Sequence, residues 1–502
     1  MAAPHFDLAV RGGTIVTPGH HEIADIGIRD GRIAQLGGSM TADADVAADG
    51  LVVIPGGVDA HVHLVSAALA AATGHPEPAW VDDFWTGSAA AIGGGITTFG
   101  NMTFPLPGES MTEAIKREMA GAQAEAAVDW FLHPVLPGLG DGTAAEIASL
   151  AADGHTSIKV FLTSPEYAPG TPGLADALAA AARAGSLTLV HCEDAAILEQ
   201  TGRELVGSGR GAMRHYPDAR PVSAEVAAID QAVDLARDTG APVYIVHLSS
   251  AAALDRCQQA RAAGLPVYVE TRPLYLHLTK ELFGEPDAGK YVGAPPLRDQ
   301  SDRDALWRGL AAGEVDTVCS DHAPWSLAAK LDPALDVVTA RQGVADLETL
   351  MPMLFSEGVV TGRISLDRFV ELTSGSAARL FGLHPQKGAI AIGSDADLAL
   401  WDPEERRVID GARMRSRAGY SVYDGWTVQG WPRFVIRRGQ VVLADGDLTA
   451  QPGQGRWLRR GVTASPLPAR QPALPIMNEV ILMPFLSSRS RMRATSSRAP
   501  YS

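Results

Sequence analysis

Short apolar runs alternate along the middle of the chain with stretches in which apolar residues recur every three or four positions. The apolar runs have the length of strands, whereas stretches such as MTEAIKREMAGAQAEA and ALDRCQQARAAG have the spacing of amphipathic helices. Strands that alternate with helices indicate βα units and a parallel sheet. The chain contains eight such strand candidates: VVIPGGVDA, GITTFGN, VDWFLHP, TSIKVFL, LTLVHC, PVYIVHLS, PVYVET and VDTVCSD. They predict an α/β fold with a TIM-like (β/α)8 barrel.

The two ends of the chain have another pattern, in which short strands are separated by turns. FDLAVRGGTIVT and IADIGIRDGRIAQLG near the start are matched in style by GAIAIGSDADLALWD and FVIRRGQVVLADG far downstream. We predict that both ends form one smaller, discontinuous β-sandwich. The predicted division is 1–50 and 388–455 for the sandwich, 51–387 for the barrel, and 456–502 for a basic, Pro- and Ser-rich tail. We expect this tail to be extended or disordered, although its apolar island IMNEVILMPFL could dock on a neighbouring subunit.

Composition limits the possible partners. The chain has 502 residues, of which 46% are apolar and only 20% are charged, so it can bury a large core. Its net charge of −16 and pI near 5.3 argue against general binding to nucleic acid or anionic membranes, because both favour basic surfaces. The three cysteines form no paired framework, and neither a signal peptide nor an apolar stretch of about 18 residues is evident. We expect a soluble cytoplasmic protein.

Several predicted strands end in a side chain that can bind a metal. The C-terminal ends of barrel strands converge on one mouth, so these side chains should meet there. They are His61, His63, Lys159, His191, His247 and Asp321. Imidazoles and a carboxylate suit first-row divalent ions, and a single catalytic zinc typically takes three protein ligands and a water. Six candidate groups therefore predict two metal ions.

Lys159 needs a separate explanation, because a protonated lysine cannot coordinate a metal. A lysine desolvated beside cations can lose its proton. Our hypothesis is that its neutral amine reacts with carbon dioxide and gives a carbamate whose two oxygens bridge both ions. The alternative is an inward-facing salt bridge.

The other candidates also have structural alternatives. His191 and His247 each close an apolar strand, where a buried histidine can be satisfied by the backbone. Asp321 could cap a helix or form a turn. Because the candidates occur together at strand ends, we favour metal ligation for all of them and proton transfer as a second role of Asp321.

The order of motifs resembles one family. The motifs IPGGVDAHVHL, IKVF, VHCED, YIVHLSS, YVGAPPLRD, CSDHAPW, GAIAIGSDADLALWDP and GWPRFVIRRGQVV look like those of the amidohydrolase superfamily, in the cyclic-amidase branch close to dihydropyrimidinase and hydantoinase. The resemblance runs from about residue 6 to 460. It implies a binuclear centre, with zinc as the expected metal and manganese or cobalt as alternatives, and a homotetramer or homodimer.

The resemblance also implies the role of each ligand. It implies that His61 and His63 hold one metal, that carboxylated Lys159 bridges, that His191 and His247 hold the second metal, and that Asp321 completes the first. A water between two dications loses a proton near neutral pH. The hydroxide would attack the carbonyl of a dihydropyrimidine or 5-substituted hydantoin, with Asp321 as proton shuttle, and give an N-carbamoyl amino acid.

Substrate-binding residues are implied less directly. The family holds the imide of its substrate largely with main-chain atoms, and the matching positions are Ala294 and Gln342. Dihydropyrimidinases and hydantoinases usually carry a tyrosine five residues after the bridging lysine, where this chain has Ser164. Either Ser164 or Tyr167, three residues later, would have to donate to the oxyanion.

Other functions remain open. VHCED, RPVSAEVAAI and HLSS resemble allantoinase, which also lacks this tyrosine, whereas GRISLDRFVELTSGSAARLFGL resembles hydantoinase. We place the chain on the hydantoinase side. A dihydroorotase would need an arginine clamp for the substrate carboxylate, and Arg272 is the arginine near a strand end. Some members of the family are non-catalytic scaffolds that have lost metal ligands, but all six ligand-type residues are present here.

Overall fold

The computed structural model describes residues 3–66 and 80–461. The strands in this part of the chain are β1 (His5–Thr17), β2 (His20–Arg29), β3 (Arg32–Leu36), β4 (Thr41–Ala47), β5 (Val52–Pro55), β6 (Gly57–Val62), β7 (Ile96–Thr103), β8 (Asp129–Pro134), β9 (Ser157–Phe161), β10 (Leu187–His191), β11 (Val243–Ile245), β12 (Val267–Thr271), β13 (Thr317–Val318), β14 (Leu398–Val408), β15 (Thr427–Arg437), β16 (Gln440–Ala444) and β17 (Asp447–Leu448). They divide into a parallel barrel and a sheet built from the chain ends.

The helices lie mainly between the barrel strands. They are α1 (Phe84–Gly93), α2 (Met111–Glu125), α3 (Thr143–Ala152), α4 (Leu174–Arg183), α5 (Ala195–Gly207), α6 (Tyr216–Ala219), α7 (Val222–Thr239), α8 (Ala251–Ala262), α9 (Pro273–His277), α10 (Gln300–Ala312), α11 (Leu327–Lys330), α12 (Leu350–Leu354), α13 (Leu366–Val370) and α14 (Ser376–Leu380). The sequence sets several starting points. Ser110, for example, caps α2 by accepting from the backbone N–H of Glu113, whose side chain accepts in return.

Strands β6 to β13 form the barrel in chain order. They are parallel and pair as a run of three, β6 to β8, and a run of five, β9 to β13. Isolated parallel bridges from Val135 to Lys159 and from Val62 to His322 close the ring. Each predicted strand contains or overlaps one of these eight, so the predicted TIM-like barrel is confirmed.

The second sheet joins both chain ends, as predicted. Its strand order is β17-β16-β15-β14-β5-β1-β2-β3, and β4 pairs with β1. The link between the N-terminal and C-terminal strands is the antiparallel pairing of β5 with β14, in which Val53 faces Leu400. Apolar side chains from both segments, such as Val10, Val53 and Leu398, share one buried cluster.

The run VVIPGGVDA is divided between the two sheets, whereas the prediction gave it wholly to the barrel. Val52–Pro55 belongs to the sheet of the chain ends, and the barrel strand begins at Gly57. The chain passes between the sheets at Gly56, where an added Cβ would lie 2.2 Å from Oγ1 of Thr97. A continuous apolar run does not reveal such a change of sheet, because both parts are fully buried.

The first residues of the predicted tail pack on the barrel. Trp130 donates its backbone N–H to the carbonyl of Arg456, and Leu458 donates to the carbonyl of Trp130, at 2.9 and 2.8 Å. Arg460 is buried over the ring of Phe131. The apolar island of the tail lies outside the described residues. Within the described ranges, no helix combines the length and the apolarity needed to cross a membrane.

Candidate metal centre

The structure brings the six predicted metal-binding residues to one mouth of the barrel. All six side chains are buried. His61 lies on β6 and His63 directly follows that strand. Lys159 lies on β9 and His191 is the last residue of β10, while His247 and Asp321 follow β11 and β13. The strand ends therefore place these side chains together, and their role as ligands stays a prediction.

One group of candidate ligands is tight. The ligand atoms of His61, His63 and Asp321 all lie within 4.8 Å of one another. Oδ1 of Asp321 is 3.0 Å from Nε2 of His63 and 3.2 Å from Nε2 of His61. Two imidazoles and a carboxylate oxygen that face one point are a suitable donor set for a divalent ion.

The second group adjoins the first. The rings of His191 and His247 are 4.6 Å apart between centroids, and the ring of His247 is 5.6 Å from that of His61. Nε2 of His191 is 2.8 Å from Glu193, which leaves Nδ1 as its candidate metal-binding atom. His247 has a φ of 40°, a strained conformation for a residue other than glycine that is often found at functional sites.

Several buried donor atoms in this cluster lack a hydrogen-bond partner among the described residues. They include Nε2 of His61, Nδ1 of His247 and Nζ of Lys159. Nζ of Lys159 lies 4.8 Å from the centre of the Phe161 ring. Buried polar atoms without partners are costly, and a bound ion or a carbamate would satisfy them. The residues present therefore fit divalent metal ions.

Burial shifts these groups towards the protonation states that metal ligands need. It lowers the pKa of His63 to about 4 and that of His247 well below its ordinary value. It also lowers the pKa of Lys159 to about 8, although the carboxylates of Glu270 and Asp321 act against this shift. Neutral imidazoles bind metals, and a lysine of this pKa has a neutral fraction that can react with carbon dioxide.

Asp321 is held as a carboxylate. Burial would raise its pKa, but Arg272, His61 and His63 hold that pKa well below the ordinary value. Arg272 is fully buried, and its guanidinium donates to Oδ2 of Asp321 at 2.8 Å and to Oδ2 of Asp346 at 3.3 Å. Arg272 is therefore engaged by two carboxylates of the protein itself.

Glu270 is a site residue that the sequence analysis missed. Its Oε1 accepts from Nδ1 of His61 at 2.8 Å and from the backbone N–H of His247 at 2.9 Å, and its Oε2 accepts from the hydroxyl of Tyr244. A carboxylate that binds one ring nitrogen fixes the tautomer and leaves the other nitrogen for a metal. The sequence feature that could have indicated Glu270 is the presence of a glutamate inside the apolar strand PVYVET.

Replacing Glu270 with glutamine should weaken metal binding. The amide can satisfy fewer of these donors, so His61 loses its fixed orientation, and we expect metal affinity to fall by about 10–100-fold. Metal content after dialysis against a graded chelator measures this. Glu348→Gln is the matched control, because Glu348 is also buried but pairs with Arg415 instead of a candidate ligand. Equal metal retention in both variants would contradict the role of Glu270.

The candidate substrate-binding residues lie on loops after the strands. Ala294 and Gln342 are half-buried, and the carbonyl of Gln342 accepts from the indole N–H of Trp325 at 2.8 Å. Ser164 is half-buried in the turn after β9. Tyr167 is buried, and its hydroxyl donates to the carbonyl of Leu136 at 2.8 Å. The hydroxyl of Tyr167 thus has a main-chain partner of its own.

Replacing Tyr167 with phenylalanine should affect stability more than turnover. The variant leaves the buried carbonyl of Leu136 without its donor, which costs about 1–3 kcal/mol of unfolding free energy. Thermal unfolding and steady-state kinetics check the two effects separately. A fall in turnover without a change in stability would restore Tyr167 as an oxyanion donor, and Ser164→Ala is the parallel test of the other candidate.

Comparison with known proteins agrees with this geometry. The model of the Amidohydrolase family matches residues 52–442. A D-phenylhydantoinase of Escherichia coli O9:H4 (strain HS) is 36% identical over 458 residues, which cover 90% of this chain and 97% of the relative.

Solved structures extend the comparison to the whole fold. The dihydropyrimidinase from Brevibacillus agri superposes with a TM-score of 0.85 at 34% identity, over 91% of this chain and 99% of that one. The L-hydantoinase (dihydropyrimidinase) from Arthrobacter aurescens superposes with a TM-score of 0.82 at 30% identity, over 91% of this chain and 100% of that one. The chain therefore belongs to the amidohydrolase family, in the branch of the hydantoinases and dihydropyrimidinases.

Proposed function

We propose that this protein is a metal-dependent hydrolase that opens the ring of a cyclic amide or imide. The substrate class is a dihydropyrimidine or a 5-substituted hydantoin, and the product is an N-carbamoyl amino acid. The observation that carries the proposal is the convergence of four histidines, a lysine and an aspartate, all buried, at one barrel mouth. Relatives named for hydantoin or dihydropyrimidine hydrolysis match nearly the full length of the chain.

The donor set suits two divalent ions, with zinc expected and manganese or cobalt as alternatives. When bound, such ions lower the pKa of a water molecule and polarise the carbonyl of a substrate. His61, His63 and Asp321 would hold one ion, and His191 and His247 the other. Lys159 would bridge them as a carbamate, formed when its neutral Nζ attacks the carbon of carbon dioxide and releases a proton to solvent.

Asp321 would perform the proton transfer. Its carboxylate would accept the proton of the attacking water and deliver it to the ring nitrogen while the C–N bond breaks. Arg272 holds Oδ2 of this carboxylate, so that Oδ1 faces His61 and His63. The imide of the substrate would bind to main-chain atoms of Ala294 and Gln342. Ser164 would be the oxyanion donor, because the hydroxyl of Tyr167 already donates to the carbonyl of Leu136.

The alternatives have less support. Allantoinase remains the second candidate, because this chain has serine at the position of the expected tyrosine. A dihydroorotase-like activity is disfavoured, since Arg272 is fully buried and already bound to Asp321 and Asp346. A non-catalytic scaffold has no need to keep six buried candidate ligands together. We also infer a homotetramer or homodimer. We infer a cytoplasmic location, since a reducing compartment suits three buried cysteines that form no disulfide.

The proposal is tested with purified protein supplied with zinc or manganese and bicarbonate. Ring opening is measured side by side for dihydrouracil, hydantoin, a 5-aryl hydantoin, allantoin and dihydroorotate. Preference for any of the first three supports the proposal. Preference for allantoin or dihydroorotate would replace it with that activity, and inactivity on all five with metal bound would refute it.

A further inference from the structure

Lys330, the last residue of α11, is a buried lysine that forms no salt bridge within the described ranges. It is 2% exposed. Its amine donates to three main-chain carbonyls, those of Val292 at 2.6 Å, Arg341 at 2.7 Å and Gly343 at 2.8 Å. Three acceptors match the three N–H bonds of an ammonium group. A lysine is rarely buried without a carboxylate, so this arrangement calls for an explanation.

The three carbonyls belong to two different loops. Val292 lies on the loop after β12, and Arg341 and Gly343 lie on the loop after β13. The backbone N–H of Gly343 also donates to the carbonyl of Val292 at 3.0 Å. Lys330 therefore ties the two loops together from one point. Burial and the charge of Arg272 lower the pKa of Lys330 well below its ordinary value.

The segment around Gln342 is fixed on its other sides as well. The indole N–H of Trp325 donates to the carbonyl of Gln342. Gly343 has a φ of 120°, and a Cβ there would lie 2.5 Å from Cβ of Ala323. Ala323 is two residues from Asp321, and its N–H donates to the carbonyl of Val344. The loop position is thus set between Lys330, Trp325 and the chain that carries Asp321.

We propose that Lys330 is a positioning residue that sets the spacing between the main chains of Ala294 and Gln342, and thereby the affinity for the imide of the substrate. The inference rests on the proposed function, in which these two main chains bind the ring. None of the three acceptors of Lys330 belongs to a candidate metal ligand. Its removal should change substrate binding more than the chemical step.

The test is Lys330→Met, which keeps an unbranched side chain one atom shorter than lysine and removes its donors. KM for the best cyclic amide should rise by about tenfold or more while kcat changes much less, because the two loops lose the group that sets their spacing. A tenfold rise corresponds to a loss of about 1.4 kcal/mol in binding free energy. Metal content should equal that of the wild type. The matched control is Lys387→Met, since Lys387 is equally buried but pairs with Asp129 and Asp397 between barrel and sandwich. It should lose stability without a change in KM.

The outcomes separate the two proposals. If the wild type opens none of the cyclic amides, the proposed function fails and this inference fails with it. If the wild type is active and Lys330→Met keeps its KM, only the role of Lys330 is refuted. Should Lys330→Met not fold, Lys330→Gln is used instead, because its amide has only two N–H donors and cannot hold all three carbonyls. A raised KM in that variant supports the proposal, and an unchanged KM overturns it.

Discussion

Replacing Lys159 with alanine is expected to remove both bound metal ions and almost all ring-opening activity. Nζ of Lys159 is buried near His191, His247, Glu270 and Asp321 and has no hydrogen-bond partner within the described residues. A side chain that stays buried without a partner would be selected against unless it is used chemically. As a carbamate it supplies two anionic oxygens, and four neutral imidazoles cannot replace that charge. Turnover should fall on the order of a thousandfold or more.

Metal analysis and carbon labelling check this result together. Metal content per subunit is measured after removal of loosely bound ions, and protein prepared with [13C]bicarbonate is examined for a carbamate carbon by NMR. The wild type should show the label and two ions, whereas the alanine variant should show neither. Lys280→Ala is the control for handling, because Lys280 is a surface lysine paired with Asp299. Full metal occupancy in Lys159→Ala would refute the bridging carbamate.

The barrel and its candidate ligands could be predicted from sequence because one rule covers both. Side chains at the C-terminal ends of parallel strands converge, so strand order and residue type together place Lys159, His191 and Asp321 at one mouth. The roles of the ligands came from resemblance to a family, and the geometry fits those roles without testing them.

Residues whose role depends on tertiary partners could not be predicted in the same way. Glu270 looked like any residue of a strand, and only the fold places both its oxygens against His61, His247 and Tyr244. The sequence suggests Arg272 as a clamp for a substrate carboxylate, yet in the folded barrel its guanidinium donates to the carboxylates of Asp321 and Asp346. Local patterns do not encode which buried charges will pair, because the partners are distant in sequence.

Replacing Asp321 with asparagine is expected to keep the fold and much of the metal while turnover falls by a factor of about 10²–10⁴. The amide is nearly isosteric, and its oxygen can still face His61 and His63. It cannot accept the proton that the attacking water gives up, so the chemical step loses its base and its acid. Single-turnover kinetics with metal content measured on the same sample checks this expectation.

The substitution has a second effect that must be separated from the first. The substitution also removes one of the two carboxylates that pair with Arg272, so that only Asp346 still balances its buried charge. A buried charge that loses a partner destabilises a protein. Asp346→Asn is the matched control, because it removes the other carboxylate from Arg272 and leaves the carboxylate of Asp321 in place. If loss of charge balance explained the effect, both variants would lose activity equally. Proton transfer by Asp321 instead requires that Asp346→Asn keeps most of its turnover, and near-normal turnover in Asp321→Asn would refute that role.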